Sequence, residues 1–309
     1  FFSLLILPFV YSQRIIRKGF STDIYKTVAV IQPNISPSDK RERSFERLLR
    51  VKNIIEEAPP ADLYVLPETA SPFPVSNDYE TGLFFKDLAK AKKASIITGT
   101  LEYKRKEGEF VYYNAAAVVD SSGISDIYRK IYLLPFVERL PFDDAIPVLR
   151  KVDLGQGNYT PGSEFTVFKI EDLDFSVYIC YEAIFPQLIR EFVKNGAEVL
   201  VNITEDGWFG RTNGPYQHAQ MAAFQSIIFR RAIARSANTG VSFVTDPYGR
   251  ILKKTRVFTS DFIVCEVPLL DCRTVYTRIG NIFGWISFLS VLLVIAAELM
   301  GKYTGHKGV

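Results

Sequence analysis

Cysteine and histidine are scarce in this chain, with three of the first and two of the second among 309 residues. Three cysteines cannot build a disulfide framework, and the odd count leaves at least one thiol without an internal partner. A free thiol therefore needs a reason. The two histidines, His218 and His306, form no cluster with cysteine and carboxylate at metal-ligand spacing, so neither a metal nor a cofactor is expected. Gly155 and Gly157 lack the strand and helix context of a dinucleotide or phosphate loop. One-signed charge is also missing. The net charge is only +3, and much of the basic excess sits beside apolar segments at Arg14, Arg17, Lys18, Lys302 and Lys307, which gives no reason to expect nucleic acid. Internal repeats and low-complexity tracts are absent as well.

What is present is apolar: 48% of the residues are hydrophobic, enough for one large core or for one domain with a membrane anchor. From Ile279 to Ala297 the sequence IGNIFGWISFLSVLLVIAA carries no charged side chain. As a helix rising about 1.5 Å per residue it matches the hydrocarbon thickness of a bilayer. It is read as a transmembrane helix, with Trp285 near one interface. At the other end FFSLLILPFVYS (Phe1 to Ser12) is apolar but too short to span, and its basic residues follow rather than precede it, unlike a signal peptide. It reads as the end of a truncated helix. Lys and Arg flank both segments, so charge bias does not choose a face of the membrane.

Between Lys26 and about Val267, short apolar runs alternate with longer amphipathic ones, as expected for a layered α/β domain. Strands are predicted at Val28 to Gln32, Leu63 to Pro67, Ser95 to Thr100, Asn114 to Asp120, Phe175 to Ile179, Val199 to Ile203, Val241 to Thr245 and Phe262 to Val267. Helices are predicted at Ser38 to Glu57, Thr81 to Ala91, Phe185 to Asn195 and Tyr216 to Ser236, with Gly196 as a stop signal after Lys194. The expected division is the end of a helix at 1–13, a linker at 14–25, a catalytic domain at 26–270, a membrane helix at 279–300 and a polar tail at 301–309.

Three predicted strands run into residues able to do chemistry, at the strand ends where α/β folds place their sites. Leu63 to Pro67 leads into Glu68, Phe175 to Ile179 into Cys180, and Val199 to Ile203 into Thr204, Glu205 and Asp206. Glu68, behind an apolar strand and a proline, is placed as a partly buried base. Lys130 lies in YRKIYLLPFVERLP, where a cation and the later Glu138 flank an apolar run, and a lysine held there needs a charged partner. Cys180 stands where a strand gives way to a helix, so its thiol faces a cleft beside backbone N–H groups able to bind an oxyanion. A thiol is only a few per cent ionised near pH 7, so a nucleophilic Cys180 requires a base and a cation, which Glu68 and Lys130 can supply. Leu133 to Leu140, Pro72 to Val75, and Trp208 with Phe209 are apolar stretches in predicted loops, candidates for a lid that keeps water from a thioester.

Pro67-Glu68, Tyr128-Arg129-Lys130 followed by Leu133 and Pro135, and Ile179-Cys180-Tyr181-Glu182 occur in an order that resembles the Glu-Lys-Cys signature of the nitrilase, or carbon-nitrogen hydrolase, superfamily. Within it the membrane segments, Phe136 to Glu138, Trp208-Phe209-Gly210 and the run from Arg230-Arg231-Ala232 to Ala237-Asn238-Thr239-Gly240 are similar to the apolipoprotein N-acyltransferase family. The resemblance covers roughly Lys26 to Val267. It implies a four-layer α-β-β-α sandwich with flanking transmembrane helices, held in the bacterial inner membrane with its catalytic domain on the periplasmic side. It further implies transfer of an acyl chain from a phospholipid to the free amine of an apolipoprotein's diacylglyceryl-cysteine, by a monomer. Glu68 would be the base, Lys130 the stabiliser of the tetrahedral intermediate and Cys180 the thioester carrier; Glu138, Tyr181, Glu182, Asn114 and Trp208 would contact substrate. The family often has Trp early in its first loop, whereas here QPNISPSDK leads to Arg41.

A Cys-His hydrolase would need His218 at the site, but that residue opens a predicted helix after a Gly-Pro turn, where packing or capping is expected. Cys265 and Cys272 could pair in an oxidising compartment, though Cys265 suits a strand as a small apolar residue. Two other readings use the same fold: a membrane-tethered amidase acting on a small amide, and a non-enzymatic membrane scaffold indifferent to Cys180.

Overall fold

The computed structural model describes residues 2–20, 22–35, 44–143, 145–146, 148–149 and 157–305. Arg41, Gly155 and His306 lie outside them, as does the start of the helix predicted from Ser38. In chain order the elements are α1 (Phe2–Lys18), β1 (Tyr25–Gln32), α2 (Ser44–Glu57), β2 (Leu63–Val65), α3 (Tyr79–Lys92), β3 (Ser95–Lys106), β4 (Glu109–Asp120) and β5 (Gly123–Arg129). Then follow β6 (Phe168–Ile170), β7 (Leu173–Ile179), α4 (Pro186–Lys194), β8 (Val199–Thr204), α5 (Gly214–Phe229), β9 (Ala232–Ala237), β10 (Phe243–Thr245), β11 (Ile251–Lys254), β12 (Asp261–Pro268), α6 (Val275–Ile279) and α7 (Ile282–Gly305).

The strands form two six-stranded sheets, ordered β12-β1-β2-β3-β4-β5 and β11-β10-β9-β8-β7-β6. Each has a parallel centre, β1-β2-β3 in one and β7-β8-β9 in the other, with antiparallel pairs outside. Side-chain alternation along β1 shows how the layers stack. Val28 and Val30 point into a core shared with Val177, Ile179 and Val201 of the opposite sheet, whereas Ala29 and Ile31 join a second core with Leu48, Val51 and Ile55 of α2 and Phe85 of α3. Leu188, Ile189 and Phe192 of α4, with Ala222 and Phe229 of α5, pack on the second sheet. The result is a mixed α/β fold with two facing sheets and helices outside both. Central strands are covered on both faces, which is why β8 reads as an unbroken buried run.

One predicted helix is corrected. The run expected as helix from Tyr216 to Ser236 divides at Arg230, whose left-handed conformation (φ 53°) ends α5, and Ala232–Ala237 continues as a strand parallel to β8. The alanines of AIARSA favour helix intrinsically, but all six residues are buried in the sheet centre, where neighbouring ladders decide. β5, β6 and β11 were not read from the sequence. All three are sheet-edge strands in the ordering above, and β11 is exposed throughout.

At the ends, α1 continues past Ser12 through the basic residues to Lys18, and Tyr248 ties it down by donating its hydroxyl to the carbonyls of Ile15 (3.2 Å) and Gly19 (2.6 Å). Gly280, with φ 69°, separates α6 from α7, so Ile279 belongs to the short helix. Residues Ile282–Met300 make a 19-residue apolar helix with no part of it buried, long enough to cross a membrane.

Candidate active site

Glu68 follows β2 in a tight turn that leans on β3. Gly99 on β3 accepts this approach because it has no side chain: a Cβ there would lie 1.9 Å from the Glu68 carbonyl oxygen. The carboxylate is buried, with Oε1 accepting from Asn114 Nδ2 at 2.7 Å and Oε2 from the Glu205 amide at 2.9 Å. Burial raises its pKa above the usual carboxylate range, with Glu138 and Glu205 adding to the effect and Lys130 and Asn114 opposing it.

Lys130 leaves the end of β5 fully buried. Its backbone N–H donates to Asn114 O (2.9 Å) and its carbonyl accepts from Gly162 N (2.8 Å). Its ammonium lies 2.9 Å from Glu138 Oε2 and 3.6 Å from Glu68 Oε1. Burial by itself would lower the lysine pKa, but Glu68, Cys180 and Glu138 outweigh that and raise it, so the cation persists. Glu138 also accepts from Leu134 N at 2.6 Å and from Asn114 Nδ2 at 2.6 Å. One asparagine amide nitrogen thus bridges two carboxylates across one lysine.

Cys180 ends β7 and begins a 3₁₀ turn, Cys180–Ile184, with φ at 49°, a region non-glycine residues seldom occupy and which concentrates at functional sites. The parallel register of Ile179 against Ile203 brings Thr204, at the end of β8, alongside. Burial pushes the Cys180 thiol up to about 12, Glu68 adds to the rise, and Lys130 and a hydrogen bond with Thr204 act against it. The resting group is therefore a neutral thiol, and its proton must leave as it reacts.

Glu182 holds this turn against the segment after Lys130. Its Oε2 accepts from Ile179 N (2.7 Å), while Oε1 accepts from Tyr128 Oη (2.7 Å) and from the amides of Ile131 (2.7 Å) and Tyr132 (3.0 Å). Glu182 has no exposed surface, and all four of these donors come from its own chain. Tyr181 packs edge-on against Phe185, with centroids 4.9 Å apart, and lines an apolar groove of about 380 Å³ shared with Ile131, Leu133, Leu140, Phe142 and Phe185. Trp208 stands on a short 3₁₀ turn after β8, 81% exposed. Phe73, Phe136 and Phe142 are also exposed, on the loops that follow Glu68 and Lys130.

The structure thus brings Glu68, Lys130, Glu138 and Asn114 into one bonded cluster, whose Glu68 and Lys130 influence the Cys180 thiol electrostatically, and sets Trp208 outside it. Sequence reasoning underrated a second cluster. His218 is buried on the inner side of α5, with Nδ1 2.8 Å from Asp206 Oδ1 and Nε2 3.1 Å from the Cys180 carbonyl oxygen. Arg235 donates to Asp206 Oδ2 at 2.8 Å. A charge inside the alanine-rich segment was the available signal for Arg235. Neither Cys265 nor Cys272 is in a disulfide, and Cys265 packs against the inter-sheet core.

A family profile described as carbon-nitrogen hydrolase matches residues 27–277. The apolipoprotein N-acyltransferase of Geobacter metallireducens is 32% identical over 91% of this chain and 55% of its own length, and apolipoprotein N-acyltransferase 1 of Treponema pallidum is 34% identical over 87% of this chain and 53% of its own length. The chain spans about half the length of these curated relatives. Among solved structures, Nit3 of Saccharomyces cerevisiae, a member of branch 10 of the nitrilase superfamily, superposes with a TM-score of 0.61 at 22% identity, covering 79% of this chain and 90% of that one.

Proposed function

The chain belongs to the carbon-nitrogen hydrolase family, and from that premise we propose that it is an N-acyltransferase. In this reading it moves a fatty acyl chain from a membrane phospholipid, through a thioester on Cys180, to the N-terminal amine of an apolipoprotein's diacylglyceryl-cysteine. The observation that carries it is the 32% identity, over 91% of the chain, to a protein named for that activity.

The site geometry supports the chemistry in two half-reactions. In the first, Cys180 Sγ attacks the ester carbonyl carbon while Glu68 takes the thiol proton. Lys130 faces the oxygen that becomes negative, together with the N–H groups of the turn after Cys180. Collapse breaks the ester C–O bond, Glu68 returns the proton to the leaving alkoxide, and a lysophospholipid departs. In the second, the free amine attacks the thioester, Glu68 receives an amine proton, the C–S bond breaks, and the proton returns to sulfur. A neutral thiol suits this sequence, because the base acts only when an acyl donor is in place. Glu138 and Asn114 hold Lys130 and Glu68 in register. The groove beside Tyr181 suits the acyl chain, and Phe73, Phe136, Phe142 and Trp208 offer apolar cover against hydrolysis.

The apolar α7, and α1 at the other end, serve in this reading as membrane anchors around a catalytic domain at 26–270, in a bacterial inner membrane with the domain on the periplasmic side. The decisive experiment incubates the chain with phospholipid vesicles and measures intact mass. An adduct of one acyl group is expected on the unaltered protein and none on Cys180→Ala. Persistence of the adduct on that variant would remove Cys180 from the reaction. Rapid hydrolysis of small amides without any lipid adduct would favour an amidase instead.

A further inference from the structure

We propose that His218 is a positioning residue, whose ring Nε2–H donates to the Cys180 carbonyl while Nδ1 sits against Asp206, and which so holds the nucleophile in its strained backbone conformation. The inference rests on the reading of Cys180 as nucleophile. His218 lies outside the Glu68, Lys130 and Glu138 cluster and performs none of the proton transfers described above.

The proton on Nε2 follows from its partner. A carbonyl oxygen can only accept, so the nitrogen 3.1 Å from Cys180 O carries a proton. The other nitrogen lies 2.8 Å from Asp206 Oδ1. Asp206 is ionised, for although burial would raise its pKa, the Arg235 guanidinium and hydrogen bonds with His218 and Thr204 hold it below the ordinary carboxylate range. Nδ1 also lies 3.2 Å from Arg235 Nη2, which donates to Asp206 Oδ2 at 2.8 Å. The titratable and charged groups facing the ring are therefore Asp206, Arg235 and Cys180, with Phe209 edge-on at 6.0 Å between centroids.

The bonds close a circuit around the nucleophile. Thr204 hydrogen-bonds the Cys180 thiol and donates to Asp206 Oδ1 at 3.1 Å. Asp206 sits against His218 Nδ1, and His218 returns to the Cys180 carbonyl. Gly240 packs closely on Asp206, since a Cβ there would lie 2.2 Å from Oδ2. A left-handed φ at a non-glycine residue persists only when surrounding bonds over-determine it, and Cys180 is gripped at both its sulfur and its carbonyl.

The test begins with the unaltered chain labelled with ¹⁵N-histidine, which has only two histidines to resolve. Nε2 of His218 is expected to carry a proton, because it faces a carbonyl oxygen. A His218 protonated on Nδ1 alone would overturn the proposal. In the second arm, single-turnover acylation of Cys180 is followed by mass in two variants. Asparagine can stand in for Nδ1 but does not reach the carbonyl, so His218→Asn is expected to slow acylation on the order of tenfold or more. Glutamine can present an N–H where Nε2 stands, so His218→Gln is expected to retain most of the rate. Equal, wild-type rates in both variants would also overturn the proposal. If the unaltered chain forms no adduct at all, the acyltransfer reading fails, and the nitrogen spectrum still decides which ring nitrogen of His218 carries a proton.

Discussion

The side-chain amide nitrogen of Asn114 lies 2.7 Å from Glu68 Oε1 and 2.6 Å from Glu138 Oε1, on the β4 strand that faces neither residue in sequence. Two carboxylates can share this space because Asn114 and Lys130 together give them three donors or charges. Asn114→Ala removes two hydrogen bonds to charged groups and is expected to destabilise the fold by about 2 kcal/mol. It also removes an interaction that lowers the Glu68 pKa. A base works only when deprotonated, so acylation is present above that pKa and lost as pH falls through it. The acid limb of the acylation rate is expected above the ordinary carboxylate range in the unaltered chain, and higher still in Asn114→Ala. A limb that moves to lower pH would contradict the arrangement.

Gly99→Ala tests the packing of Glu68. A new methyl carbon 1.9 Å from the Glu68 carbonyl oxygen forces β2 and β3 apart at the turn. Thermal unfolding is expected to report a loss of about 1–3 kcal/mol. Acylation should slow on the order of a hundredfold through misplacement of the base. A variant that acylates normally would show that Glu68 does not depend on this close approach.

Glu182→Gln separates positioning from binding. The amide NH₂ of glutamine would meet donors where an oxygen now accepts from Ile179 N or from Tyr128 Oη and two backbone amides. A loss of about 2–3 kcal/mol is expected, with acylation slowed and the apparent affinity for acyl donor unchanged. A pure loss of donor affinity in kinetic titration, with stability intact, would instead return Glu182 to the substrate surface.

The Cys180 thiol, pushed up to about 12, should resist alkylation at neutral pH. Peptide mass spectrometry after short iodoacetamide pulses is expected to show labelling of Cys180 rising about tenfold per pH unit from 8 to 11 without a plateau, because the thiolate is the reactive form. Lys130→Met removes a cation that opposes this rise, so labelling at each pH should fall. A plateau near pH 8.5 would mean that burial and Glu68 do not govern the thiol.

Much of the architecture was legible because most of the strands are bounded apolar runs. β8 and β12 were read nearly to their ends, and Glu68, Cys180 and Thr204 to Asp206 were placed by the rule that α/β folds display chemistry where strands stop. Lys130 was legible mainly by likeness, since a lysine beside an apolar run is not distinctive alone. The alanine-rich β9 was misread as helix because a strand buried on both faces has no alternation, and local propensity then points the wrong way.

By itself the sequence determined the layered α/β class, the apolar C-terminal helix, and the order of glutamate, lysine and cysteine along the chain. Only the tertiary structure decided that Lys130 stands 3.6 Å from Glu68, that Glu182 points inward, and that His218 reaches the carbonyl of Cys180, 38 residues earlier. These relations depend on strand register and on which face of a helix or turn meets the sheet. Periodicity tells which residues are buried, but it carries no information about which buried polar groups will meet. That pairing is set when two sheets and their helices close over one another and each buried donor must find an acceptor.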